Sequence, residues 1–285
     1  MLKIVPIIAL LLLSGCSIKI TPDTFIYQDE VVEKNLDLTD IKSKLDQQDN
    51  EIEISAVALT TDDGLTLKGV KLLRPDALAN VLFFGGNGMK ISTSSGILKQ
   101  FAMLQLNVIW FDYRGTGVSE KKEALKVVDL QSDALAVFDF ANASLPADIP
   151  SVIHGLSMGS LIGSYTASQR NVDALVLDGA ISSVPELVDA LVPSWSKIFS
   201  TVTVAPELAS IDNIALMQNY RAPLLLLVGE EDETTPVAFS QALYDAAASE
   251  QKTLTVLKGT GHSQSMKMDA ALKAYARFID EFSLL

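Results

Sequence analysis

The stretch SVIHGLSMGSLIGSY, residues 151–165, runs from β-branched residues through a glycine-flanked serine into a helix-like segment. Gly155 and Gly159 stand two places either side of Ser157. Chance alone yields Gly-x-Ser-x-Gly in roughly one chain in ten of this length, so the pattern needs its context. A strand before the serine and a helix after it would force the chain through a turn too tight for flanking side chains. Such a turn lifts the serine hydroxyl out of a sheet. The spacing predicts a strand at 151–153, a turn at Ser157 and a helix from Met158.

Outward from this stretch the chain alternates apolar runs with helical patterns. The runs are NVLFFGG (80–86), NVIWFDYRG (107–115), PSVIHG (150–155), DALVLDG (173–179), PLLLLVGEED (223–232) and KTLTVLKGTGH (252–262). Helical candidates lie between and after them at 94–106, 129–144 and 269–282. Fully apolar strands alternating with helices predict an α/β domain with a mostly parallel central sheet flanked by helices. EISAVALTT and LTLKGVKLL, either side of Asp62-Asp63-Gly64, predict a hairpin at its start. Residues 182–221 interrupt the rhythm and read as a short cap over the strand ends. The domain is expected to span 51–285.

The chain has 285 residues, a formal net charge of −13, and 48% hydrophobic with 20% charged residues. That balance describes a globular chain rather than a disordered one. It also excludes nucleic acid as a partner, because phosphate neutralisation needs clustered Lys and Arg. A metal centre is not expected, since the two histidines lack zinc-site spacing.

A serine hydroxyl needs a base to become a nucleophile. Of the two histidines, His154 sits on the strand and would point into or along the sheet. His262, in the loop after the final apolar run, can reach over the serine. The base in turn needs a carboxylate to set its tautomer. Asp232, in GEEDETTP (229–236), is the first choice and Asp178 the other credible acid; Glu230, Glu231 and Glu233 read as loop charges. The expected oxyanion donors are the backbone amides of Met158 and of Asn87, in the GGNG run (85–88). That run lacks the spacing of a phosphate loop.

These motifs together resemble the α/β-hydrolase superfamily, in its short-capped branch of monoacylglycerol-lipase-like and serine-aminopeptidase-like enzymes. FDYRGTGVS (111–119) matches the branch's Asp-Tyr-Arg-Gly-x-Gly-x-Ser signature, and GLSMG, GEEDETTP and GTGHS match its elbow, acid turn and histidine loop. The resemblance implies an α/β-hydrolase fold and a Ser157–His262–Asp232 triad cleaving small acyl esters without a cofactor. Peptidase or amidase activity, or a non-catalytic envelope binding protein, are the alternatives. One departure stands out: Gly85 occupies the place of the family's oxyanion-loop histidine. Asp112 and Arg114 are expected to brace their loop rather than react.

The first residues, MLKIVPIIALLLLSGC, have a positive start, an apolar run too short to span a bilayer, and a small-residue exit. LSGC (13–16) is similar to the lipobox of bacterial lipoproteins. This implies a signal peptide at 1–15, acylation of Cys16 (the lone cysteine) and a lipid-anchored tether over 16–50. The expected location is the cell envelope, with the membrane as a partner. In a Gram-negative cell, Ser17 after that cysteine implies the outer membrane, facing the periplasm. Oligomeric state is not legible in these residues.

Overall fold

The computed structural model describes residues 16–45, 52–193, 195 and 200–283. The signal-peptide reading of 1–15 lies outside the described residues. The strands are β1 Cys16–Ile20, β2 Glu53–Thr60, β3 Thr66–Leu73, β4 Ala79–Phe84, β5 Leu106–Phe111, β6 Ser151–Leu156, β7 Ala174–Asp178, β8 Ser200–Val204, β9 Leu224–Gly229 and β10 Lys252–Leu257. Eight form one sheet in the order β10-β9-β7-β6-β4-β5-β3-β2. Only the β2–β3 and β3–β5 pairs are antiparallel; from β5 to β10 the sheet is parallel. The fold is that of the α/β-hydrolases.

Strand burial follows from the apolar runs. Every residue of β4, β5, β7 and β9 is buried, as a parallel sheet covered on both faces requires. Side chains alternate between two cores. Val81, Phe83, Val108 and Trp110 pack with Leu98, Phe101, Tyr275 and Phe278 on one face. Leu82, Phe84, Ile109 and Phe111 pack with Ala134, Val137 and Phe138 on the other. The helices Val127–Ser144 and Met158–Gln169 cover the second face, and Ile97–Met103 and Asp269–Ser283 the first.

Between β7 and β9 lie the helices Val184–Leu191, Pro206–Ala209 and Asn213–Met217, with β8 among them. This segment packs Val184, Leu187, Val188 and Leu208 against Val127 and Leu161 of the domain beneath.

The tether reading of 16–50 is corrected for residues 16–45. β1 pairs in parallel with β8, and Ile26, Ile41 and Leu45 are buried, the last two in the main core. The polar composition concealed this docking, because a few apolar residues suffice to seat a strap whose carboxylates find backbone N–H groups. Residues 46–50 lie outside the described residues.

Candidate active site

The carboxyl ends of β4, β6, β9 and β10 meet at one edge of the sheet, where α/β folds place their ligands. Ser157 follows β6 with φ 53° and ψ −117°, an arrangement side chains rarely adopt. Its amide donates to the Asp178 carbonyl at 2.9 Å. The two glycines answer to the crowding: a Cβ on Gly155 would collide with the Gly159 carbonyl, and one on Gly159 with the Phe84 carbonyl.

His262 Nε2 lies 3.0 Å from Ser157 Oγ, and His262 Nδ1 lies 2.8 Å from Asp232 Oδ2. An ionised carboxylate only accepts, so Nδ1 carries the proton and Nε2 is left to accept from the serine hydroxyl. Asp232 is buried, and its Oδ1 accepts from the amides of Thr234 at 3.0 Å and Thr235 at 2.8 Å. Burial pushes its pKa up, but hydrogen bonds from His262 and Thr235 outweigh this and hold it below the usual range. The Thr235 hydroxyl, a contributor not singled out from sequence, donates to Asp232 Oδ2 at 2.8 Å and sits 3.2 Å from His262 Nδ1. Its only sequence signal was its place three residues after the acid.

The rival residues go elsewhere. His154 is wholly buried, edge-on to Phe83 and Phe101 and stacked on Tyr275 with ring centroids 5.6 Å apart. Burial lowers its pKa to about 3, so it is a neutral core ring. Asp178 is buried at the end of β7 with Oδ2 4.0 Å from His154 Nε2. Burial raises its pKa to about 7, against the opposing effects of Ser265 and the His262 charge. Asp112 accepts from the amides of Ile91 at 2.9 Å and Val118 at 3.0 Å. Arg114 grips Asp133 through two hydrogen bonds of 2.6 Å. Both brace the segment that carries them.

A cavity of about 830 Å³ opens on the serine, lined by Gly86, Asn87, Leu156, Ser157, His262 and Met266 among others. Asn87 thus faces the same space as Ser157. Met158 begins the helix Met158–Gln169, where the first amides have no partner within the helix.

Over residues 75–216 and 208–266 the chain matches the family described as Serine aminopeptidase, S33. The chain belongs to this family. An uncharacterised protein of Mycobacterium tuberculosis is 29% identical over 234 residues, covering 80% of each chain. The lysophosphatidylserine lipase of Rattus norvegicus is 27% identical over 197 residues, which span 61% of this chain and 47% of the lipase. Among solved structures, an esterase of Pyrococcus furiosus superposes with a TM-score of 0.69 at 18% identity, over 90% of this chain and 98% of that one. At that identity the likeness is one of fold. In this family member His262 stands within hydrogen-bonding reach of both Ser157 and Asp232, the partners expected for it from the sequence.

Proposed function

We propose that this chain is a serine hydrolase that cleaves carboxylic esters through an acyl-enzyme. The observation that carries the reading is the continuous line Ser157 Oγ, His262 Nε2, His262 Nδ1 and Asp232 Oδ2, held at a strained elbow on a large cavity. His262 takes the hydroxyl proton as Oγ bonds to the ester carbonyl carbon. The negative charge moves to the carbonyl oxygen, facing the amides of Asn87 and Met158. Collapse breaks the bond to the alcohol, which leaves with the proton from His262, while Asp232 stabilises the imidazolium. Water, activated by the same histidine, then releases the acid and restores the serine. The reaction uses no cofactor.

The related lysophosphatidylserine lipase supports the choice of ester over other acyl bonds. The family's description favours a second reading, cleavage of aminoacyl amides. The test is to treat the full chain in detergent with a fluorophosphonate probe, then to assay p-nitrophenyl esters beside aminoacyl anilides. Labelling at Ser157 with ester turnover is expected. Turnover of anilides alone would select the amide reading. A chain that neither labels nor turns over any substrate would be a binding protein of this fold.

We also propose an envelope location, with Cys16 acylated after removal of residues 1–15 and the membrane held through that lipid. The sequence LSGC and the single cysteine support it, as several acyl chains on one residue anchor firmly. Ser17 favours the periplasmic face of an outer membrane. Mass spectrometry of the membrane-extracted protein should find acylated Cys16 as its first residue, and Cys16→Ser should remain unprocessed. An unmodified or different mature N-terminus overturns the anchor and leaves the hydrolase reading intact.

A further inference from the structure

The oxyanion loop after β4 is held by a part of the chain that the catalytic motifs do not include. Asn87 is exposed, yet both ends of its carboxamide are engaged: Oδ1 accepts from the Tyr27 amide at 2.8 Å, and Nδ2 donates to the Phe25 carbonyl at 2.8 Å. Rotating the carboxamide by half a turn would set donor against donor and acceptor against acceptor, so the strap backbone fixes its orientation. Gly88 lies so near the Tyr27 ring that an added Cβ would come within 3.2 Å of it.

The strap itself is pinned. Asp29, 7% exposed, accepts from the Gly117 amide at 2.8 Å, the Tyr27 hydroxyl at 2.8 Å and Lys90 Nζ at 3.1 Å. Its own amide donates to the Gly115 carbonyl at 2.8 Å, and the Glu33 amide to the Gly117 carbonyl at 2.6 Å. The segment therefore ties the oxyanion loop to the 115–117 turn. On the loop itself, Gly85 supplies no side chain to hold it, and its carbonyl accepts from the Tyr113 hydroxyl at 2.8 Å.

We propose that residues 21–33 are a positioning element for oxyanion formation: by gripping the Asn87 side chain, the strap sets where the Asn87 amide points. The inference rests on the serine-hydrolase reading above. An oxyanion donor contributes about 10²–10³-fold to rate, and a misplacement of about 1 Å can cost about 100-fold. Loosening the strap thus acts on the transition state more than on substrate binding.

Asn87→Ala tests this directly, because it keeps the backbone amide and removes only the grip. Asp29→Ala releases the strap from its other end. In the full chain, each is expected to lower kcat for p-nitrophenyl butyrate by about 10–100-fold. KM should stay within about threefold, and amide hydrogen exchange should quicken in the peptide covering residues 85–90. A wild type that turns over ester, with both variants keeping kcat within about twofold, overturns the inference and leaves the hydrolase reading standing. A fall in kcat with unchanged loop exchange in both variants also overturns it. A wild type inert to esters and to the probe overturns the hydrolase reading, and this inference with it.

Discussion

Ser157 and His262, 105 residues apart in the chain, are joined by a 3.0 Å hydrogen bond between Oγ and Nε2. The contact exists because β6 and β10 end at the same edge of a parallel sheet, with β7 and β9 between them. Ser157→Ala and His262→Ala should each lower ester turnover by at least about 10⁴-fold, since triad members act as a unit. Melting temperatures separate chemistry from folding here. Ser157→Gly should melt above Ser157→Ala, because φ 53° strains an alanine and not a glycine.

The two strand-end acids should part company. Asp232→Asn is expected to lose about 10⁴-fold in kcat through the wrong histidine tautomer. Asp178→Asn should retain most activity, since its carboxyl lies beside His154 rather than against the catalytic imidazole. A steady-state comparison of the two folded variants decides it; the reverse ranking would exchange the roles.

Asp178 also makes a stability prediction with a defined sign. Its pKa, raised by burial to about 7, means the folded state binds its proton more tightly than the unfolded state does. Stability from this group is therefore full below the ordinary carboxylate range, about pH 4, and is lost as pH rises through about 7. Asp178→Asn stays neutral throughout, so its melting temperature relative to wild type should be higher at pH 8 than at pH 5. Equal differences at both pH values would count against this account. Asp232, held below the usual range, works in the opposite sense: its contribution is present above that range and fades in acid.

Elbow glycines should be intolerant where an open one is not. Gly155→Ala and Gly159→Ala drive a methyl into backbone carbonyls that cannot retreat, and each should destabilise by about 3 kcal/mol or more, or block folding. Gly96 has nothing within 4 Å of a built Cβ and helical dihedrals. Gly96→Ala should raise stability by about 0.4–1 kcal/mol. Chemical denaturation of the three variants checks the contrast.

His154→Phe should be active within about twofold and more stable than wild type. Both ring nitrogens of His154 are buried without a hydrogen-bond partner among the described residues, amid Phe83, Phe101 and Tyr275. Removing unsatisfied buried polar atoms recovers about 1–3 kcal/mol, a rise of several degrees in a thermal melt. Loss of activity in a folded variant would instead give His154 a catalytic part.

Much of the hydrolase core was legible because its signals are local. An apolar run is a buried strand wherever it lies, and Gly155 and Gly159 report a steric demand made by residues a few places away and by the adjoining strand end. Chain order likewise placed Ser157, Asp232 and His262 each just past the end of an apolar strand, and a parallel sheet puts such ends on one edge. The sequence ranked Asp232 above Asp178, and the tertiary structure shows which of the two meets His262. Both end apolar strands, and only the path of each turn settles which carboxyl faces the imidazole and which lies beside a buried histidine. The strap was hidden for a related reason. Its contacts with Asn87 run through the Tyr27 N–H and the Phe25 C=O, groups that every residue carries. The Asp29 carboxylate that takes the Gly117 amide is one of four acidic residues in 21–33, so its type does not single it out. Sequence determines where chemistry-bearing side chains can stand; long-range backbone pairing, which only the folded chain makes, determines how firmly they are held.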